Sequence, residues 1–312
     1  MTDYWNDQPL NGCLLETTPV EAPMLMGSQG SLPDRIDLRE FCSPVEHQQK
    51  TNSCTANAIV GALEYHQRRA KQPQIDLSRL FVYYNARRLS DMENKDVGSF
   101  IHHVMAAVLA YGACEERIWP FQPAMVNTQP TQAAYQNAML HEAVQYARTP
   151  LGPAVFQALA SGLPIVFGAV FPSSLYQEAH QTGTMSVHTE AFERPQMGHA
   201  MLIVGYDMPS KTWLVRNSWG EQYAEKGYFR IPFDTMSTFS DPTHFWTIGA
   251  IEQAQGLSLS GASLMGTQQK IQANAKADMA SVLAGKRDDV RSELRSRLDE
   301  AKSDFRSRLR SK

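Results

Sequence analysis

The sequence predicts an α+β protein whose helices and strands are segregated along the chain: a helix-rich N-terminal half, then a β-rich, antiparallel, barrel-like C-terminal half. Three observations predict it. From residue 54 to about 150 apolar residues recur at helical spacing, as in Phe100-Ile101, Val104-Met105 and Val108-Leu109. Residues 164–171, Pro-Ile-Val-Phe-Gly-Ala-Val-Phe, make a short unbroken apolar run that reads as a buried strand. Residues 200–206 and 212–216, joined by Asp207-Met208-Pro209-Ser210-Lys211, read as a hairpin.

Taken in order, residues 1–31 read as an irregular leader. Pro9, Pro19 and Pro23 break any helix, and Gly27-Ser28-Gln29-Gly30-Ser31 has linker composition. A globular body is expected over 32–254. Near its start, the polar loop Gln48-Gln49-Lys50-Thr51-Asn52-Ser53 runs into Cys54 and then Ala56, Ile59, Val60 and Leu63, which share one helical face. Ser53 is the natural N-cap. Cys54 therefore opens a helix, where unpaired N–H groups and the positive end of the dipole favour a thiolate. Further helices are expected around 100–109, 133–138 and 153–160.

Residues 255–312 read as a linker and a helical tail. Residues 288–298 are followed at once by a near copy at 299–309, and 277–287 is a weaker one. Eleven residues make three helical turns, which keeps Val290, Leu294, Leu298, Ala301, Phe305 and Leu309 on one narrow stripe. Self-association through residues 277–310, contact with an anionic membrane surface, and simple docking or solvation are three open readings of that helix.

A chain of 312 residues, 43% hydrophobic and 20% charged, can bury a full core. Its formal net charge of −3 lacks the basic excess of a nucleic-acid binder, so none is expected as a partner. Charge is unevenly spread: residues 266–312 hold 12 Lys+Arg against 7 Asp+Glu, leaving 17 against 25 elsewhere. The N-terminus has neither the basic nor the apolar region of a secretory signal, and no apolar run is long enough to span a membrane. Four cysteines, Cys13, Cys42, Cys54 and Cys114, are too few for a disulfide framework at this length. The expected location is cytoplasmic, or outside by a route without an N-terminal signal peptide. The histidines show no His-x-x-x-His spacing, no Cys/His cluster suggests zinc, and there is no phosphate-binding Gly-rich loop. No metal or cofactor is expected.

A thiol nucleophile needs a base, and the base needs a group that fixes its ring. Cys54, His199 in Gly198-His199-Ala200-Met201, and Asn217 in Val215-Arg216-Asn217-Ser218-Trp219-Gly220 supply the three in that order. Here the chain resembles the papain-like cysteine peptidases. His199 follows Cys54 by 145 residues and Asn217 follows it by 163. The family's separation from cysteine to His and Asn is ~130–150. Leu32-Pro33-Asp34-Arg35-Ile36-Asp37 is similar to the start of a mature family domain, Gln48 stands six before Cys54, and Val97-Gly98-Ser99-Phe100 resembles the substrate-pairing loop. Glu116-Arg117-Ile118-Trp119-Pro120-Phe121 and Gly227-Tyr228-Phe229-Arg230-Ile231 match later motifs, so the resemblance covers roughly residues 32–252.

The resemblance implies a cleft with Cys54 on a helical wall and His199 and Asn217 on a sheet wall. It implies an oxyanion hole from the Gln48 amide and the Cys54 N–H, and substrate binding by Gly98, Ser99 and Trp219, with Trp219 also shielding the His199–Asn217 bond. Met197 and Gly168 fall near the expected specificity pocket. The chain departs from the pattern at Thr51-Asn52-Ser53-Cys54-Thr55, where the family has Cys-Gly-Ser-Cys-Trp, and at Tyr223-Ala224, where it often has Trp-Gly. The expected function is peptide-bond hydrolysis on a peptide or protein substrate. A transpeptidase or amide ligase using the same triad, and a catalytically silent peptide-binding module, are the alternatives. Residues 1–31 are shorter than the family's usual helical propeptide, and two readings of them stay open: the apolar Met24-Leu25-Met26 lying across the active site as a small inhibitory plug, or a disordered leader.

Overall fold

The computed structural model describes residues 8–17, 20, 22–27, 31–140, 146–190, 197–248 and 257–260. Three short strands come first: β1 (Cys13–Leu14), β2 (Met24–Gly27) and β3 (Arg35–Asp37). The helical half follows, with α1 (Cys54–Arg69), α2 (Arg79–Arg88), the two-residue strand β4 (Ser99–Phe100), α3 (Ile101–Tyr111) and α4 (Gln132–Ala138). Then come β5 (Tyr146–Arg148), α5 (Pro153–Ala160), β6 (Ile165–Ala169), α6 (Ser173–Thr182), β7 (Met197–Asp207), β8 (Thr212–Arg216), β9 (Tyr228–Pro232), α7 (Phe233–Phe239), β10 (Ser240–Ile248) and β11 (Leu257–Ser260).

Helix starts follow local chemistry at α2 and α4, where the Ser78 and Thr131 side chains accept the N–H groups of Phe81 and Ala134. At α1 the N-cap residue is Ser53, but its hydroxyl caps no N–H. It is drawn instead to Thr51 Oγ1 (2.7 Å) and Asn57 Nδ2 (3.0 Å), which tie the loop before Cys54 to the helix after it.

The long strand β7 organises the sheet. It pairs antiparallel with β6, β8, β3 and β1, and β10 extends the sheet beyond β6. Its side chains alternate between two cores, as a strand's must. Ala200, Leu202 and Val204 pack with Ile59, Phe81, Val104 and Val108 of the helices. Met201 and Ile203 pack with Phe167, Trp213, Phe229 and Phe245 of the sheet. One strand thus forms the wall shared by both lobes, and it is buried from Gly198 to Tyr206.

Two segments within the leader, Cys13–Leu14 and Met24–Gly27, are strands. β1 pairs with β4 and β7, while β2 pairs with β11 and β5. Prolines bar a helix but leave the extended backbone that a strand needs. Met24-Leu25-Met26 accordingly lies in β2, at the β5–β11 side of the sheet, and the segment that crosses the site is a different one. β11 likewise gives paired structure to part of the expected linker after 254. The repeat at 277–310 lies outside the described residues.

The loop carrying Gly98 is fixed from beneath. Tyr83 Oη accepts the Gly98 N–H (2.9 Å) and donates to Asp96 Oδ1 (2.6 Å), and the Asp96 carboxylate accepts the Asn52 N–H (3.0 Å to Oδ1). Replacing Tyr83→Phe strips a partner from the buried Gly98 N–H and from the part-buried Asp96 carboxylate. It should lower unfolding stability by about 1–3 kcal/mol, read as a shift in denaturant midpoint at unchanged slope.

Candidate active site

Cys54 is the first residue of α1, and β7 delivers the groups that face it. The Ala200 N–H donates to Cys54 Sγ at 3.4 Å, and His199 is the residue before it on β7. The β7–β8 ladder sets Leu202 opposite Arg216, which carries Asn217 just past the end of β8 alongside His199. His199 Nε2 lies 2.8 Å from Asn217 Oδ1.

That bond fixes a tautomer. Asn217 Oδ1 also accepts the Ser218 backbone N–H at 2.8 Å, an unambiguous donor, so the oxygen end of the amide is the one turned inward. An acceptor oxygen requires His199 to present Nε2–H. Its lone pair is then on Nδ1, which has no hydrogen-bond partner among the described residues. Trp219 lies flat against the ring (centroids 4.9 Å apart, 24° between planes), and Tyr176 meets it edge-on at 5.9 Å. Trp219 is itself buried. It sits against the imidazole and covers one face of it.

Gln48 is held by the strand-like pairing of residues 46–48 with 218–220, through Gln48 N–H to Ser218 O (2.8 Å) and Gly220 N–H to Glu46 O (2.9 Å). Its side chain is clamped at both ends. Nε2 donates to Thr51 O at 2.9 Å, and Oε1 accepts from Ser218 Oγ at 2.6 Å. An amide nitrogen has two hydrogens, so the second points in a fixed direction. The motif residues Gln48, Cys54, His199 and Asn217 are thus drawn into one buried cluster.

The leader lies over this cluster. Gly12 O accepts the Ser99 N–H (3.0 Å), Cys13 pairs with both Ser99 and Gly198, and Leu14 pairs with Phe100 and Met197. A Cβ on Gly12 would fall 2.8 Å from Cys54 Sγ and 2.5 Å from Asn52 O, so only glycine fits there. Gly98, at φ +84°, is equally constrained, because a Cβ on it would meet Gly12 O at 2.6 Å. Cys13 Sγ and Leu15 press on Gly168, which therefore does lie beside the occupied path.

Burial under the leader sets the electrostatics. Cys54 is 0% exposed and His199 1% exposed. Burial pushes the Cys54 thiol up to about 12, although hydrogen bonds from the Ala200, Thr55 and Cys54 N–H groups pull the other way. Burial lowers His199 to about 4, partly opposed by its bond to Asn217. In this covered state the thiolate expected from the helix start alone does not form, because loss of solvent outweighs the helix N-terminus. Both partners are neutral at pH 7.

Farther along, Glu16 anchors the leader. One carboxylate oxygen accepts from His102 Nδ1 on α3 and the other from His244 Nε2 on β10 at 3.0 Å. Burial raises the Glu16 carboxyl, but the hydrogen bonds and charges of His102 and His244 outweigh it and bring it down to about 2. Neither histidine belongs to a spacing motif. Only the fold brings the two to one carboxylate. Among the described residues, no group of three or more His, Cys, Asp or Glu side chains is placed to hold a metal ion.

A buried cysteine at a helix start beside an Asn-oriented histidine, at the seam of a helical and a β lobe, defines a thiol hydrolase. The chain belongs to the papain family of cysteine proteases, whose family model matches residues 32–240. It is 34% identical over 228 residues to an uncharacterised peptidase C1-like protein of Acanthamoeba polyphaga mimivirus, covering 68% of this chain and 71% of that one. It is 27% identical over 214 residues to mouse cathepsin K, covering 64% and 60%. Among solved structures it is similar to xylellain, a cysteine protease from Xylella fastidiosa, with a TM-score of 0.67 at 27% identity over 77% of this chain and 96% of that one.

Two outcomes follow from the leader's seat. Gly12→Ala puts a methyl group into backbone and sulfur atoms, at a typical cost of about 1–3 kcal/mol. Displacement of the leader should raise epoxide labelling of Cys54 on the order of tenfold, read by mass-spectrometric mapping. Second, the folded-state carboxyl of Glu16 lies below its ordinary value of 4.5. Its stabilisation is therefore complete above pH 4.5 and is lost as pH falls through about 2. Denaturation of wild type and Glu16→Gln across pH should show a gap of about 3 kcal/mol at neutral pH, closing over that acid range.

Proposed function

We propose that the chain hydrolyses peptide bonds in peptide or protein substrates through a Cys54–His199–Asn217 thiolate mechanism, in the state where the leader has left Cys54. The observation that carries this reading is the assigned His199 tautomer. With Nε2–H donated to Asn217 Oδ1, Nδ1 is an unpartnered base next to the residue that bonds Cys54 Sγ.

Removal of the leader returns water to the pair and relieves the desolvation that keeps both partners neutral. The Cys54 proton passes to His199 Nδ1, and Asn217 holds the imidazolium in place. The thiolate sulfur attacks the scissile carbonyl carbon, and the C=O electrons move onto oxygen. That oxyanion is met by the Cys54 backbone N–H at the open start of α1 and by the second N–H of the clamped Gln48 amide. Collapse breaks the C–N bond, and the leaving amine takes the proton from His199. Water, deprotonated by His199, then attacks the thioester and releases the acid and free thiol. Gly98 and Ser99 bind the substrate backbone, Ser99 as it binds Gly12 and Cys13 of the leader, since Ser99 N–H is an edge donor once the leader departs.

The test is turnover of a peptide library by full-length Gly12→Ala, alone and combined with active-site changes. Cys54→Ser and His199→Ala should abolish turnover and epoxide labelling. Gln48→Ala should lower kcat with little change in KM, by ~2.7–4 kcal/mol in the transition state. Turnover that survives Cys54→Ser would overturn the assignment.

A further inference from the structure

The contacts that hold Glu16 are built like a receptor. Its side chain is 8% exposed, and each carboxylate oxygen has its own ring N–H donor, one from each lobe. His102 comes from α3, next to β4, whose Ser99 binds the leader backbone. His244 comes from β10, one residue before the Phe245–Phe167 pair that joins β10 to β6, the strand of Gly168. The rings are fixed by packing. His102 lies 5.4 Å from Phe100 and 6.4 Å from Trp246, centroid to centroid, and His244 is 5% exposed with its Nδ1 unpartnered among the described residues.

Both histidines belong to the body, whereas Glu16 belongs to the leader. The leader reaches them along the substrate path, with Gly12 at Cys54, Cys13 against Gly168 and Glu16 between the rings. Once the leader leaves, two buried ring donors on opposite lobes face that path without an acceptor. Leaving buried donors unpaired is costly, and a carboxylate satisfies both at once. A neutral amide in the same place gives one acceptor and one donor, and its donor meets an N–H.

We infer that His102 and His244 form a carboxylate-recognising subsite, and that the peptides this cleft cleaves carry an acidic side chain there, with Glu16 as its resident competitor. This rests on the peptidase reading above and adds its substrate class. It also accounts for a glutamate two residues beyond Leu14, in a segment whose Gly12, Cys13 and Leu14 pair along the same path.

The experiment uses full-length Gly12→Ala and peptide pairs that differ only by Glu or Gln at each of the positions preceding the scissile bond. The expected result is a preference for Glu at one position of roughly tenfold or more in kcat/KM, falling toward unity in His102→Gln and His244→Gln. In the wild-type leader background, Glu16→Gln should speed epoxide labelling of Cys54. A Glu/Gln ratio near one at every position, with neutral peptides still turned over, overturns the subsite and leaves the peptidase reading standing. A preference that persists in both histidine variants overturns their role. No turnover of any peptide, with Cys54 unlabelled, overturns the peptidase reading and this inference with it. Circular dichroism checks each variant's fold, and if His244→Gln is unfolded, the less buried His102→Gln decides the question.

Discussion

The cleft hangs on the pairing of β7 with its neighbours. His199 and Ala200 are adjacent on β7, so one residue places the base while the next donates its N–H to Cys54 Sγ. The same strand's register with β8 brings Asn217 to the far side of the imidazole, and its pairing with β1 carries the leader across the top. Because β7 is buried on both faces between two cores, a slip of one residue would exchange Ala200 and Leu202 with Met201 and Ile203. That exchange costs packing on both sides at once, which pins the register more firmly than a one-sided strand could. The position of His199 is therefore a consequence of core packing in both lobes.

Burial then decides the protonation state. A helix N-terminus and three backbone N–H groups favour a thiolate at Cys54, yet the thiol is pushed up to about 12 because the leader excludes water. The same exclusion lowers His199 to about 4. A Cys–His pair shielded in this way holds its proton on sulfur, and access of solvent is what moves it. With the leader in place, His199 is already bonded to Asn217, and Ala200 to Cys54 Sγ.

Much of the site could be read from the chain because its residues sit in local motifs. Cys54 follows a polar loop at a helix start, and His199 and Asn217 stand beside two apolar segments, 200–206 and 212–216, that read as a hairpin. The helices at 101–111 and 153–160 and the strand at 165–169 were equally legible, since periodicity reports which face is buried. The leader was not, because a two-residue strand has no period. Met24-Leu25-Met26 drew notice as the most apolar piece of the leader, but hydrophobicity marks what wants burial and not where. β2 pairs with β5 and β11, and Leu25 is buried in the sheet-side core. What crosses Cys54 is instead the smallest residue available, Gly12, because the gap over the sulfur leaves no room for a Cβ. Likewise Glu16, His102 and His244 are far apart in sequence and meet only when two lobes and the leader are assembled.

The leader's three kinds of contact divide the work of staying bound. Gly12 contributes close fit and little side-chain energy. Cys13 and Leu14 contribute sheet pairing, which any extended peptide could supply. Glu16 makes a contact that a generic peptide would lack, and it bridges α3 to β10. Backbone pairing therefore makes the leader a competent occupant, while the carboxylate clamp is what separates it from any other chain. A substrate that displaces it must repeat the pairing and either satisfy the two histidines or leave them bare. The group that secures the leader is thus also the group that selects its replacement.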